Sequence, residues 1–346
     1  MRELSDLDMK ELAEEIAALG EKSFRAAQLY DWIHRKLACS YEEMSNIPGK
    51  LKEALKERFH FGALPIRVKQ ESAQDGTVKY LFGLADGNAV ETVLMRYRYG
   101  NSVCVSSQVG CRMGCAFCAS TLGGLKRSLS AGEILGQIYA VQRDSGERVS
   151  HVVVMGIGEP LDNYDNVLRF IRMLSDEKGL NISQRNITLS TCGLVPEIRR
   201  LAAEKLQITL ALSLHAVNDE KRKSIMPVAK RYSLAEVMEA VDLYFKETGR
   251  RVSFEYALIA GVNDTVRDAD GLAALAAPRH CHVNLIPVNP VTERGLEEPT
   301  KEAVNSFLGE LTKRHVTATV RRELGRDIDG ACGQLRHKAK ESGNVM

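Results

Sequence analysis

Cys111-Arg112-Met113-Gly114-Cys115-Ala116-Phe117-Cys118 is the stretch on which the reading of this chain turns. Its three cysteines are spaced C-x3-C-x2-C, and no fourth cysteine follows before Cys192. A [4Fe–4S] cluster is held by cysteine thiolates, normally four of them. Three on one short loop leave one iron open to a small molecule, which makes the cluster a reagent. A structural zinc site is the competing reading. It wants four closed ligands, and the first histidine after the loop is His151. The spacing favours the open cluster.

Around the loop, strand and helix patterns alternate. Strands are predicted at 103–107, 151–155, 186–189, 208–212, 252–256, 282–286 and 316–320. Helices are predicted between them at 131–142, 165–175, 197–203, 234–246, 266–276 and 301–313. Such alternation means parallel β-structure covered by helices, and periodicity alone does not separate an open sheet from a barrel. Upstream, residues 66–99 alternate in the manner of a β-hairpin, with a turn at Asp86-Gly87-Asn88. Residues 7–18, 23–36 and 49–58 read as helices of a small amino-terminal module. The cysteine loop resembles that of the radical S-adenosylmethionine (SAM) enzymes, in which Phe117 would belong to the signature. The resemblance implies an α/β fold, a partial (β/α)6 barrel, in which the open iron chelates the amino and carboxylate groups of SAM. With it comes a division into a helical accessory, RNA-binding domain (1–60), a β-rich linker carrying Glu91 (61–98), a barrel (99–325) and a carboxyl-terminal segment (326–346).

In parallel α/β folds, ligand groups gather at the carboxyl ends of the strands. The least ordinary short sequences fall there. Gly156-Ile157-Gly158-Glu159-Pro160 follows the second parallel strand, Ser190-Thr191 the third, Ser213-Leu214-His215 the fourth and Pro287-Val288-Asn289-Pro290 the sixth. Alone, the glycine–glutamate element is a plain turn. One strand after a cluster loop, it resembles the element with which the superfamily grips the methionine end of SAM, through Gly158 and Glu159. Ser190, Ser213, Leu214, His215 and Asn289 are the further candidates for SAM, their hydroxyl, imidazole and amide groups suiting carboxylate, ribose or adenine contacts.

Composition narrows the setting. The chain has 346 residues, 44% hydrophobic and 27% charged, which suits a soluble globular protein. The amino terminus has no signal-peptide pattern, and the longest apolar runs, such as 151–158, are too short to span a bilayer. A cytoplasmic protein without membrane association is expected. Eight cysteines in such a chain point to metal or redox chemistry rather than a disulfide framework. A net charge of +2 neither demands nor excludes nucleic acid. The short basic runs 222–223, 230–231, 250–251, 321–322 and 336–340 line one RNA-facing side only if the fold gathers them.

Three more positions sharpen the resemblance. Cys332 lies in Gly330-Ala331-Cys332-Gly333-Gln334-Leu335, Cys104 in Val103-Cys104-Val105-Ser106-Ser107-Gln108-Val109-Gly110, and Glu91 in Val90-Glu91-Thr92-Val93. Taken alone, Cys104 reads as a small buried hydrophobe, and Glu91 as a strand glutamate. With the cluster loop they resemble, over essentially the whole chain, the adenosine-modifying RNA methyltransferases of the RlmN/Cfr family. The C2 carbon of adenine is electrophilic and its hydrogen is not acidic, so a methyl cation equivalent has nothing to attack there, whereas a carbon radical can add. The family solution consumes two SAM molecules at one cluster per chain. Cys332 takes a methyl group from the first by displacement; the second yields a 5′-deoxyadenosyl radical that abstracts hydrogen from that methyl. The carbon radical adds to C2, giving a protein–RNA crosslink; loss of the C2 proton then lets Cys104 attack the sulfur of Cys332, releasing product and leaving a transient Cys104–Cys332 disulfide. Glu91 is the candidate proton acceptor or adenine-positioning acid.

The resemblance further implies 23S rRNA and tRNA as substrates, an electron donor of the flavodoxin or ferredoxin type and a thiol reductant, while the lack of a long coiled-coil or apolar repeat in the sequence favours a monomer. C8-specific methylation within the same family, a glycyl-radical activase or peptide maturase, and an RNA-binding protein with a closed zinc site are the alternatives. Cys39, Cys192 and Cys281 match no catalytic position and read as structural.

Overall fold

In the computed structural model, residues 2–289, 295–322, 324–328 and 335–336 are described. Cys332 and Pro290 lie outside them. The first sixty residues hold three helices, α1 (Met9–Ala18), α2 (Phe24–His34) and α3 (Gly49–Arg58). Their apolar faces close on one another around Leu12, Ile16, Leu29, Ile33, Leu51 and Leu55, a core distinct from that of the rest of the chain. Asp8 caps α1 in a reciprocal box with Glu11, satisfying two amide donors that the first turn leaves free.

One ten-stranded sheet follows, and its strands lie side by side in chain order: β1 (Ile66–Glu71), β2 (Val78–Gly83), β3 (Ala89–Tyr97), β4 (Gly100–Cys104), β5 (Val149–Val154), β6 (Ile187–Thr191), β7 (Thr209–Ser213), β8 (Ser253–Leu258), β9 (His282–Pro287) and β10 (Ala318–Val320). β1 to β4 form an antiparallel meander; β4 to β10 are parallel. The crossovers are α4 (Ala131–Ser145), α5 (Tyr164–Leu174), α6 (Val195–Ala203), α7 (Asp219–Ile225) with α8 (Leu234–Thr248), α9 (Val266–Ala276) and α10 (Lys301–Lys313). This is the partial (β/α)6 barrel, with the meander continuing its sheet. Side chains alternate across a strand. One face packs under the helices, where Val78, Tyr80, Phe82, Leu94, Val103, Val152, Leu189, Leu210 and Phe254 are buried. The other face lines a lumen.

The strand expected at 103–107 begins earlier, at Gly100, because a tight turn after Tyr97 pairs it with β3. Residues 105–107 lie beyond the end of β4 and stay buried, with Val105 N–H still donating to the Val153 carbonyl of β5 at 3.0 Å. α7, seven residues long, went unpredicted because it is too short and too charged to show a period. Among the described residues, no helix is long and apolar enough to cross a membrane.

The helical module docks on α4 and α5 through polar contacts. Asp6 Oδ1 accepts from the Gly132 amide at the start of α4 at 2.7 Å, and a Cβ on Gly132 would run into Ser5. Arg169 of α5 donates to the Asp6 carbonyl at 2.8 Å and to both oxygens of Glu11. Partial burial pushes the Glu11 carboxyl up, but hydrogen bonds from Arg169, Arg2 and the Asp8 amide outweigh it and hold the group at about 2. A folded-state value below the unfolded one contributes stability that is present above about pH 4.5 and lost as pH falls towards 2. Glu11→Gln should therefore weaken docking at pH 6 and flatten its loss between pH 5 and 3, as read by limited proteolysis between module and barrel.

Candidate active site

The cluster loop grows from the end of β4. After Cys104 the chain forms a two-stranded ribbon, residues 108–110 pairing with 125–128, and the loop 111–124 is its closed end. The neck is narrow. The Cys111 backbone N–H donates to the Gly124 carbonyl at 3.1 Å. Gly110 has φ +80°, and a Cβ on it would run into that same carbonyl. Thr121 Oγ1 donates to the Cys118 carbonyl at 2.8 Å, and Ala116 N–H to the Ile225 carbonyl of α7 at 2.8 Å. Arg112 reaches Asp162 (Nε to Oδ2, 2.9 Å), which also accepts from Gln108 Nε2. The loop is thus pinned to the segments that follow β5 and β7.

Cys111 and Cys115 are buried, and Cys118 is half-buried. Burial pushes the Cys111 thiol up to about 12. It pushes Cys115 up as well, with the neighbouring Cys118 and Cys111 thiols and the Glu159 carboxyl adding to the effect. Thiols such as Cys111 and Cys115, which burial keeps from ionising, need a positive centre to become thiolates, and a coordinated thiol is deprotonated outright. No three His, Cys, Asp or Glu side chains among the described residues converge on a single metal ion. A cubane, taking one thiolate at each of three irons, suits this donor set; a closed zinc site does not.

Beside the loop lies a cavity of about 210 Å³, lined by Phe117, Cys118, Ser190, Ser213, His215 and Asn289 among others. Phe117, Ser190, Ser213, His215 and Asn289, drawn from four segments, thus share one space with Cys118. Ser190 and Ser213 hydroxyls stand 3.3 Å apart. His215 sits in the left-handed region (φ 55°), its ring edge-on to Phe117 at 4.6 Å. Burial, and secondarily the charge of Arg222, push its pKa down to about 3. Its Nδ1 accepts from the Ala257 amide at 2.8 Å, so the neutral ring carries its proton on Nε2 as a fixed donor.

Gly158, Glu159 and Leu214 stand behind this wall. A Cβ on Gly158 (φ +115°) would strike Ser107 and Gln108, so that glycine serves the close approach of two chain segments. Glu159 is buried; Oε1 accepts from Leu161 N–H at 3.1 Å and Oε2 from Cys192 N–H at 2.8 Å. Leu214 is core, its amide bonded to the Glu255 carbonyl at 3.0 Å.

The lumen continues into a second cavity of about 730 Å³ that shares Met155, Glu255 and Arg321 with the first. Arg250, Arg251, Arg321 and Arg322 line it, so two of the dispersed basic runs meet. Glu255 is the only carboxylate on its wall among the described residues. Tyr97 and Tyr99 stack at its mouth, centroids 4.9 Å apart and 7° from parallel. Arg321 was marked in the sequence only as part of a basic run, and nothing in the local sequence of Glu255 marks it as a site residue.

Cys104 ends β4 opposite Val93, on the lumen face by alternation from Ser102. Glu91 is two residues from Val93 on the same face. It is 3% exposed and pairs with fully buried Lys79 of β2, Oε2 to Nζ at 3.0 Å. Its Oε1 accepts from the Arg336 amide at 2.7 Å, while Leu335 packs on Leu81 and Ala89. Residues 335–336 therefore lie on the strand paired with the one that ends in Cys104.

Two outcomes are expected. Gly110→Ala should cut iron incorporation at least tenfold on reconstitution while far-ultraviolet circular dichroism stays near that of the parent. Lys79→Met strands a buried carboxylate, a loss of about 3–5 kcal/mol for a broken buried pair, measurable by denaturant unfolding of the iron-free protein.

Comparison with known proteins agrees with this geometry. A model described as the radical SAM superfamily matches residues 105–271, and one described as the ribosomal RNA large subunit methyltransferase N-terminal domain matches residues 2–60. A probable dual-specificity RNA methyltransferase RlmN of Lachnospira eligens is 57% identical over 342 residues, 99% of this chain and 97% of the relative. Its counterpart in Clostridium perfringens is 53% identical over 336 residues, 97% of each. The crystal structure of a radical SAM methyltransferase from Sphaerobacter thermophilus superposes with a TM-score of 0.92 at 45% identity, covering 96% of this chain and 99% of that one. The chain belongs to the RlmN family of radical SAM RNA methyltransferases.

Proposed function

We propose that the chain methylates C2 of adenosine in 23S rRNA, and in a subset of tRNAs at the adenosine beside the anticodon, with Cys332 as methyl carrier and Cys104 as the thiol that resolves it. The observation that carries this reading is the return of residues 335–336 to β3, next to the strand that ends in Cys104. Residues 335–336 follow Cys332 by three and four positions and lie on the strand paired with that of Cys104, which supports the reading of a Cys104–Cys332 disulfide.

The cluster and SAM, when bound, supply the methyl group and the carbon radical. The chain's own residues divide the remaining work. Cys111, Cys115 and Cys118 hold the cluster. Ser190, Ser213, Asn289 and the Nε2–H of His215 orient SAM in the smaller cavity, with Phe117 fixing the imidazole from its edge. Glu159 and Gly158 act one layer back, by setting the position of residue 192 and the turn after β5. Glu91 has both oxygens engaged, which favours a positioning role towards the carboxyl-terminal segment over direct proton transfer. Stacked Tyr97 and Tyr99 and four arginines facing one carboxylate suit a single RNA strand, whose bases stack on aromatic rings and whose phosphates seek cations. The scheme needs a low-potential one-electron donor of the flavodoxin or ferredoxin class and a thiol reductant.

Reconstituted parent and Cys332→Ala, incubated anaerobically with methyl-deuterated SAM, dithionite and RNA, test the reading. A deuterated methyl on Cys332 and labelled 2-methyladenosine are expected from the parent and neither from the variant. Unchanged RNA methylation by Cys332→Ala would remove that residue from the mechanism.

A further inference from the structure

Arg222 is the one guanidinium in the described structure that is fully buried, and the proposed chemistry leaves it without a task. It projects from α7, whose last residue, Ile225, accepts the Ala116 amide of the cluster loop. Nη2 donates to the Cys192 carbonyl at 2.7 Å and Nε to the Leu214 carbonyl at 3.3 Å. Nη1 is buried with no partner, and no carboxylate lies within ion-pair distance among the described residues. The chain makes room for this group. Gly193 next to it has φ +100°, and a Cβ there would come within 3.1 Å of Nη2.

Burying a charge costs several kcal/mol unless an opposite charge and hydrogen bonds compensate it. Two carbonyl dipoles do part of this and leave one amino group unsatisfied. The nearby acids are committed elsewhere. Glu159 accepts two backbone amides, one of them that of Cys192, and Asp219 accepts the Leu234 amide. What remains beside Arg222 is the layer of Cys115, Cys192, Ile225 and Met226 under the loop. Burial pushes the guanidinium's pKa down, while Cys192, Cys115 and Asp219 push it back up, which places those groups within its field.

We infer that Arg222 is the resident counter-cation of the cluster loop, a positioning residue that offsets thiolate charge and favours the reduced state of the bound cluster. The inference rests on the cofactor reading above. Three thiolates on a core of charge +2 give a net −1. One electron from a low-potential donor makes it −2, with no bond formed or broken. A fixed cation in water-excluded surroundings stabilises the more negative form, and cluster charge and solvent exposure are what set such potentials.

Arg222→Gln keeps a donor for the Cys192 carbonyl and removes the charge; Arg222→Lys keeps the charge and loses the fork. Each is reconstituted anaerobically and titrated with dithionite under electron paramagnetic resonance, without SAM or RNA, with iron per chain measured alongside. Arg222→Gln should lower the reduced-to-oxidised ratio at fixed potential at least tenfold, a shift of about 59 mV for one electron, with Arg222→Lys within twofold of the parent. Equal shifts in both variants, or none in either, would overturn the inference and leave Arg222 a packing residue. Should Arg222→Gln take up no iron, Arg222→Lys decides: parental uptake supports the charge role and failed uptake ends it. A parent without iron and visible absorption defeats the cofactor reading itself, and the inference with it.

Discussion

Everything functional in this molecule is measured from β4. It is bonded along both edges, antiparallel to β3 and parallel to β5, so it is the strand at which the sheet changes direction. Such a strand has no freedom to slip, because a one-residue shift would turn its buried face into the lumen. Its end holds Cys104, and the ribbon that closes the cluster loop begins four residues later. Ser106 Oγ donates to the Glu91 carbonyl at 2.6 Å and accepts from Ile157 N–H at 3.0 Å, tying the departing chain to both neighbours. The loop, the turn after β5 and the meander are thereby held in one frame.

The lumen differs from the packed interior of a closed barrel. Its walls carry Ser102, Thr188, Ser190, Thr209, Ser213, Ser253 and Asn284, and cavities rather than side chains fill it. Charges buried around it are each managed differently. Lys79 and Glu91 neutralise one another directly. Glu255 is held by Asn284 at 2.7 Å and Ser253 at 3.2 Å, and burial pushes its carboxyl up. Glu159 and Arg222 grip residue 192 from opposite sides, amide to carboxylate and carbonyl to guanidinium, without touching each other. A polar chamber with fixed charges suits ligands that bring charge of their own.

Much of this was legible in the sequence where a signal has a period or a spacing. Ser130 with Glu133, Ser233 with Glu236 and Thr265 with Asp268 start α4, α8 and α9 with capping boxes, and those helices begin where their apolar periodicity does. The rim residues Ser190, Ser213, His215 and Asn289 were chosen because strand ends collect ligands in parallel folds, and they line one cavity. The unread residues are those whose environment is tertiary. Arg222 stands in a charged run, 219–223, indistinguishable from a solvated surface, and only the fold turns it inward. Lys79 carried a faint signal: a lysine inside the apolar strand 78–82 is either solvent-facing or paired. Its partner is known only once Leu81 is seen opposite Glu91.

The meander explains itself through the other end of the chain. Ser72 Oγ and Ala73 N–H both donate to Asp327, at 2.6 and 2.9 Å, and Gly325 N–H donates to Asp75 Oδ2 at 2.9 Å. Glu91 and the Leu81–Ala89 patch receive Arg336 and Leu335. The contacts fall on both sides of residue 332 in sequence, one set at the β1–β2 turn and the other on β2 and β3. A barrel needs no antiparallel strands before its first parallel one. One face of these strands packs under α4, where Tyr80 Oη donates to Asp144 and Thr92 Oγ1 to Gln137, while Leu335 packs on Leu81 and Ala89 on the lumen face. Holding a segment at two places costs less entropy per contact than holding it at one, because the second closure acts on an already shortened loop. The meander is thus a docking frame, and the buried Lys79–Glu91 pair is the part of it that cannot be exchanged for a surface ion pair without exposing the strand on which Cys104 depends.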